Sequence, residues 1–560
     1  MRSKLCLLSL AAICLFLTID AEAQSYAITN ARIVTVSGPT IEKGTVVVRN
    51  GLIEAVGANL KAPADAHVFD AAGLTVYPGF IDSLTTLGAP PAPSAPTGPG
   101  AGGGGAAAAA PVAAAAPQQS NSNYPVGLRP ELELFGNIRP GDAQFDAARN
   151  AGFATAVTTG RTGIFNGQSA VINLSGDSVS SLVIKTPFAH HVTFTTIGGG
   201  NYPFSLLGTF AALRQMFYDA QRQQEWQRLY AADPRGLRRP NIDRSLEALY
   251  PALNRQVPVV FNASREIEII RALDLVKEFN LRGVIAGGHE AWKVSDRLKA
   301  QNVPVLLSMN FPKRTAAASA DADPESLETL RLRAETPRGP GRLAAAGVKF
   351  AFQSGGLSPL GDFFSNAGKA VENGLSRDAA VRAMTLGAAE ILGVENRLGS
   401  IEPGKIANLT IVRGDLFGRD RFVPQMVIDG KIYEQKPPAT PPAGRAAAQG
   451  PGTPPPAASN LPDVNGIYRV VIQIPGQPLD ATLTFVQTGS TFTGSMVSAL
   501  GTTQITDGRV GAEGWSFSAT IEFGGQTVQI NARGTVTGDE IRGMIDSTQG
   551  NAEITGTRVP

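Results

Sequence analysis

Cysteine is nearly absent: the 560 residues contain two, Cys6 and Cys14, and both fall within the first 23. Those 23 residues read as a secretory leader, with basic Arg2 and Lys4, an apolar stretch from Leu5 to Leu17, and the A-x-A site Ala21-Glu22-Ala23. Cleavage there predicts a mature chain that starts at Gln24 and works in the periplasm or outside the cell. Such a chain has no disulfide, no thiolate metal ligand and no cysteine nucleophile, so large apolar cores must hold it together. Ile13 stands before Cys14, where lipoprotein processing needs a small residue, so no lipid anchor is expected. The leader's apolar core is shorter than the roughly 20 residues of a spanning helix, and stable membrane insertion after cleavage is not expected.

Histidine is scarce as well, with four in the chain: His67, His190, His191 and His289. A dense basic run is missing. The richest group, Arg235, Arg238, Arg239 and Arg244, is broken by Pro240 and Asp243, and the formal charge is only +2. Nucleic acid is therefore excluded as a partner. No G-x-S-x-G elbow occurs, which excludes that class of serine hydrolase. His289-Glu290 begins an H-E-x-x-H pattern, but Lys293 stands where its second histidine would be.

What is present is a chain long enough for two or three domains, divided by two biased stretches. Residues 88–124 are nearly all Ala, Gly and Pro, and residues 436–459 form a Pro/Ala-rich linker; both compositions predict mobility. Gly100, Gly102 and Gly105 match a dinucleotide-motif spacing through composition alone, since no strand precedes them.

Residues 24–75 read as short β-strands (Ala31–Val36, Thr45–Arg49, Leu52–Val56) with Asn50-Gly51 as a hairpin turn, and His67 as a surface or interface residue. Leu74–Asp82 reads as one buried strand. Between residues 76 and 396, apolar runs at Phe153–Val157, Val257–Phe261, Gly283–Ala286, Val303–Ser308 and Val348–Phe352 alternate with helical patterns. Leu206, Phe210, Leu213 and Phe217 share one helical face, as do Ile269, Leu273 and Val276. This alternation predicts a parallel (β/α)8 barrel of the TIM type. Residues 397–435 return to strands. Residues 463–560 show seven strand candidates in close succession, which predicts an antiparallel barrel or sandwich.

Several segments carry a resemblance. Asn30-Ala31-Arg32-Ile33 and Gly44–Ile53 resemble the opening of amidohydrolase-superfamily enzymes, and Val76-Tyr77-Pro78-Gly79-Phe80-Ile81-Asp82 resembles their first barrel strand. Thr385, Ala388, Leu392 and Gly393 resemble a late helix, and residues 397–409 resemble the closing motif. The resemblance spans residues 26–435. It is closer to an exported, imidazolonepropionase-like branch, on segments such as Pro203–Gly208 and Leu213-Arg214-Gln215. It implies a composite β-sandwich built from both flanks of the barrel, and hydrolysis of carbon–nitrogen or similar bonds by metal-activated water.

The residues that the resemblance places at the ligand positions cannot serve as the usual donors. Leu84 and Thr86 stand for two histidines, Asn262 and Gly287 for two more, and Gly355 for the aspartate. Lys185 aligns with a lysine that some members carboxylate. No resident cofactor is therefore expected, zinc or another divalent ion entering only through an unrecognised site. Polar candidates at the predicted barrel mouth are Thr86, Asn262, His289 and Ser354; His190 and His191, adjacent in a strand, would face opposite ways. Two functions follow: a carbon–nitrogen hydrolase with altered or lost activity, or a non-catalytic exported binding or scaffolding protein. A small molecule is the expected partner, and homo-oligomers are compatible with the sequence.

Overall fold

In a computed structural model of the protein, residues 25–435 are described except for 90–123, 125–126, 142, 162, 197–201 and 315–324. Residues 462–559 are described except for 475–476, 489–490, 499–500, 512–513, 524–525 and 548–549. The leader, the interior of the 88–124 insertion and the 436–459 linker lie outside the described residues. The chain divides into two compact units between Pro442 and Ala443.

The first unit opens with β1 (Ser25–Ile33), β2 (Ile41–Arg49), β3 (Leu52–Gly57), β4 (His67–Asp70) and β5 (Thr75–Pro78). Asn50 and Gly51 both take positive φ, 52° and 78°, as a two-residue hairpin turn requires. Then follow β6 (Phe80–Thr85), β7 (Phe153–Thr158), β8 (Phe165–Gln168), β9 (Ala170–Asn173), β10 (Val183–Lys185) and β11 (His190–Thr193). Next come β12 (Val259–Ala263), β13 (Gly283–Gly287), β14 (Val305–Ser308) and β15 (Phe350–Gln353). The unit ends with β16 (Leu409–Arg413), β17 (Phe422–Ile428) and β18 (Lys431–Glu434).

Both flanks of the chain meet in one sheet, ordered β18-β17-β16-β5-β1-β2-β3 with β4 paired to β1. The join is the antiparallel pairing of β16 with β5, Leu409 opposite Pro78. The sheet curls until Ile53 donates to the Lys405 carbonyl (2.9 Å) and Gly404 to the Ile53 carbonyl (2.8 Å). Val46, Val48, Ile53, Leu409 and Ile411 fill the space so enclosed. The expected single strand Leu74–Asp82 is in fact two. Gly79 separates β5, in this sheet, from β6, in the barrel wall, and a Cβ at Gly79 would stand 2.5 Å from that of Ala154. Only glycine allows the chain to cross so close to β7.

The barrel wall departs from eight parallel strands. β6 and β7 are parallel, and β11 through β15 run parallel in sequence order. Between these groups lies one antiparallel segment: β9 pairs with β7 and β8 with β11. At its centre Ser169 donates to the Ala189 carbonyl and accepts from Phe188 N–H. β15 meets β6 where Ser354 N–H donates to the Asp82 carboxylate, at 2.9 Å.

Alternation along the strands sorts the side chains. Ile81, Val157, Val171, Val260, Val284, Leu306 and Ala351 pack inside the wall, against Ala388 and Leu392 of the helix Leu386–Leu392. Phe261, Ile285 and Phe352 pack outward against helices such as Glu266–Glu278, whose Ile269, Leu273 and Val276 are buried as expected. In the helix Leu206–Ala232, Phe210, Leu213 and Phe217 are buried, but Leu206 is half-exposed, because it opens the helix beyond the edge of the core. No helix among the described residues is long and apolar enough to cross a membrane.

The second unit is a closed barrel of eight antiparallel strands, each paired to the next: β19 (Gly466–Ile474), β20 (Gln477–Thr488), β21 (Thr491–Ser498), β22 (Gly501–Gly511), β23 (Gly514–Phe523), β24 (Gln526–Thr537), β25 (Glu540–Ser547) and β26 (Gly550–Arg558). The eighth strand, unread in the sequence because its nine residues hold one large apolar side chain, Ile554, closes the ring on β19. Closure leaves no unpaired edge. Tyr468, Phe485, Phe492, Trp515 and Phe517 fill the interior, and Arg558 donates to the Tyr468 hydroxyl (2.8 Å), tying the last strand to the first.

Candidate functional site

The carboxyl ends of the parallel strands surround a cleft of about 810 Å³. Leu84, Thr86, Asn262, Gly287, His289 and Gly355, separated by up to 271 positions in sequence, all line it. Positions far apart in the sequence thus meet at one cleft.

Two predicted residues lie elsewhere. Ser354 is buried beneath the mouth, where its main chain holds Asp82. Lys185 sits on β10, where Nζ donates to the Leu392 carbonyl (2.9 Å) at the end of the helix Leu386–Leu392. It stabilises a helix C-terminus and is no part of the cleft.

The ligand positions fail the test of fit for a metal. Leu84 has no donor atom. Gly287 and Gly355 are not simply truncated donors. Their φ values are +95° and +61°, and a Cβ at each would stand 2.4 Å from Ser264 Oγ and 2.3 Å from Ser308 Oγ. The main chain at both positions has settled into a form that a ligating side chain rarely adopts. Among the described residues no group of three or more His, Cys, Asp or Glu is placed to hold a metal ion.

A directed hydrogen-bond chain occupies the cleft instead. Asn262 Nδ2 donates to Thr193 Oγ1 (2.8 Å), and that hydroxyl donates to Asn166 Oδ1 (2.7 Å). Because Thr193 has one proton, the chain fixes both amides: Asn262 keeps its carbonyl oxygen available and Asn166 its amino group. Arg161 Nη2 donates to the Thr86 carbonyl (3.1 Å). Glu268 accepts from Ser264 and Arg265 N–H (2.9 and 3.1 Å), so its carboxylate serves the start of the helix Glu266–Glu278.

Two buried polar atoms beside the cleft have no hydrogen-bond partner among the described residues: Thr159 Oγ1 and His289 Nε2. Burial holds the His289 imidazole below its ordinary pKa, partly offset by a hydrogen bond to the Asn310 main chain and by Glu290. The ring is thus neutral at neutral pH, with its proton engaged by Asn310 and Nε2 left to accept. Asp82 lies under the floor. Burial pushes its carboxyl up to about 6, against the bonds it accepts from Ser354 and Leu84.

His190 and His191 do face opposite ways and are both fully buried. His191 Nε2 lies 2.7 Å from Ser169 Oγ, at the turn point of the antiparallel segment. Burial lowers their pKa values to about 4 and about 3. His67 is exposed, edge-on to Tyr26. Thr193 and Asn166 were missed in the sequence because β8 and β11 are only four residues long. Strand alternation from His191 would have turned Thr193 inward with it.

Residues 322–433 match the model of the Amidohydrolase family. An amidohydrolase from Thermotoga maritima MSB8 shares 24% identity and a TM-score of 0.59, covering 73% of this chain and 100% of its own. A Xaa-Pro dipeptidase with bound methionine (16% identity, TM-score 0.44, covering 74% of this chain and 100% of its own) also aligns. So does A. niger ochratoxinase (11% identity, TM-score 0.42, covering 74% and 96%); these two scores are too low to bear on the assignment. No curated protein matches the chain. The matched segment is similar to the Amidohydrolase family model, and the first unit is similar in fold to the Thermotoga maritima amidohydrolase. They do not distinguish the imidazolonepropionase-like branch.

Proposed function

We propose that this protein is an amidohydrolase-superfamily member whose barrel mouth binds a small, uncharged, amide-like molecule without the superfamily's metal-activated water. One observation carries the reading. The cleft that lacks the usual histidine and aspartate donors at five ligand positions keeps an ordered acceptor and donor pair, Asn262 and Asn166, beside Thr159 Oγ1 and His289 Nε2, which have no partner among the described residues. Buried polar atoms without partners cost about 1–3 kcal/mol each, and a bound amide or water would supply what they need. Export and the absence of a resident cofactor belong to the same proposal and rest on the leader and on the donor set.

The test is calorimetric titration of the mature chain with a panel of amides, cyclic imides and dipeptides, alongside elemental analysis. Saturable binding of at least one compound is expected, weakened about tenfold in Asn262→Leu, with metal far below one ion per chain. Stoichiometric zinc, with turnover lost on chelation, would overturn the reading. His289 favours a second reading, metal-free hydrolysis with Nε2 as the proton acceptor. In that case His289→Ala abolishes turnover while binding persists.

A further inference from the structure

We infer that the C-terminal barrel carries a second ligand site, on its wall across β21–β26, that takes a small oxyanion. A groove of about 990 Å³ is lined there by Arg509, Arg533, Arg542, Met544 and Glu553, with Trp515 at its floor. The pairing register sets the arrangement. Arg509 lies opposite Ser516, Ser516 opposite Arg533, Arg533 opposite Met544, and Met544 opposite Glu553, all on the exposed face. Arg542, opposite Thr535, lies diagonal to Arg533 on that same face. Neighbouring strands are about 4.8 Å apart, so Arg509 and Arg533 stand roughly 10 Å from each other, within reach of one anion.

Two observations point inward from these arginines. The adjoining inward row is Val510, Trp515, Gly534 and Gly543, and its glycines leave no side chain between the indole and the main chain of β24 and β25. A Cβ at Gly534 would stand 2.7 Å from Trp515 Cζ2, and one at Gly543 would stand 2.9 Å from Cη2. Trp515 is 2% exposed, and its Nε1 has no hydrogen-bond partner among the described residues. Indole nitrogen can only donate, so what it lacks is an acceptor. Arg509 has no ion-pair partner among the described residues, and Arg542 reaches Glu540 at 3.2 Å on the exposed surface, a contact that is readily exchanged. A carboxylate or phosphate group fits this set: oxygen atoms for the guanidinium forks, and one for the indole N–H.

Three tryptophans occur in the chain, so Trp226→Phe with Trp292→Phe leaves Trp515 as the sole indole reporter. This full-length mature protein is titrated with citrate, with inorganic phosphate and with sodium chloride at constant ionic strength. A saturable emission change with citrate or phosphate, and none with chloride, is expected; which of the two binds tighter identifies the anionic group. Adding Arg509→Gln and Arg542→Gln should raise the midpoint at least tenfold while the far-UV circular dichroism and thermal midpoint stay unchanged. Equal responses to chloride, no response to either oxyanion, or an unaltered midpoint in the arginine variant would each overturn the site. In the parent chain, calorimetry on Trp515→Phe provides a second reading of the indole's part, a tenfold loss being expected and unchanged affinity counting against it.

Discussion

Asp82 and the two buried histidines of β11 pull the stability of this protein in opposite directions with pH. The Asp82 carboxyl is raised by burial from 3.8 to about 6. Its stabilising contribution is complete below about 3.8 and is lost as pH rises through 6, a difference on the order of 3 kcal/mol at neutrality. His190 and His191 are lowered from 6.5 to about 4 and about 3. Their contribution is complete above 6.5 and is lost as pH falls toward those values. Between pH 4 and 6 the unfolded chain takes up two histidine protons where the folded chain takes up one on Asp82, so the histidines win. Thermal midpoints should therefore fall from pH 6.5 to 4.5, and His191→Gln should make that fall shallower. Asp82→Asn keeps an oxygen for Ser354 and Leu84 N–H and removes the charge. Its midpoint should exceed that of the unsubstituted protein at pH 7.5 and not at pH 4, and an identical pH profile would remove Asp82 from the account.

At the scale of elements, the junction of the composite sheet with the barrel depends on Asn408. This buried side chain donates to Thr155 Oγ1 (3.0 Å) and Asn173 Oδ1 (2.7 Å) and accepts from Asp429 N–H (2.9 Å). It thereby ties the start of β16 to β7, β9 and the β17–β18 turn. Asn408→Ala removes all three bonds, leaving Thr155 Oγ1 and Asn173 Oδ1 bonded only to each other (3.0 Å), and should cost about 1–3 kcal/mol in urea unfolding of the first unit. A cost under about 0.5 kcal/mol would show that water replaces the network. The loop after β15 supplies a second case. Gly355→Asp places a side chain at positive φ against Ser308, and should destabilise by about 1–2 kcal/mol. Combined with Leu84→His, Thr86→His and Asn262→His, it should still bind no stoichiometric zinc by elemental analysis, because the backbone that would present the aspartate has changed shape.

For the whole molecule, two units with separate cores should unfold separately. Scanning calorimetry of the mature chain should show two transitions, and residues 462–560 expressed alone should give an all-β spectrum and cooperative unfolding. A single transition, or an unfolded fragment, would mean that the closed barrel depends on the rest of the chain.

Much of this was legible in the sequence, and the reason is local. Strand alternation, the Asn50-Gly51 turn and the amphipathic 266–278 helix are patterns of a few residues, and the ordered flanking motifs declared the scaffold. That Leu84, Thr86, Asn262, Gly287 and Gly355 differ from the His and Asp expected by resemblance is likewise a matter of residue identity. Other features depend on contacts between distant segments. Four-residue strands such as β8 and β11 have too little pattern to be read alone, and only their pairing turns the 165–173 segment antiparallel. The burial of Ser354, the diversion of Lys185 to a helix end, and the Asn262–Thr193–Asn166 chain each require knowing what lies across the barrel. Identity and spacing thus determined the scaffold and the missing donors. Packing decided what replaced them, because a hydrogen bond depends on which atoms meet, and here they come from strands far apart in sequence.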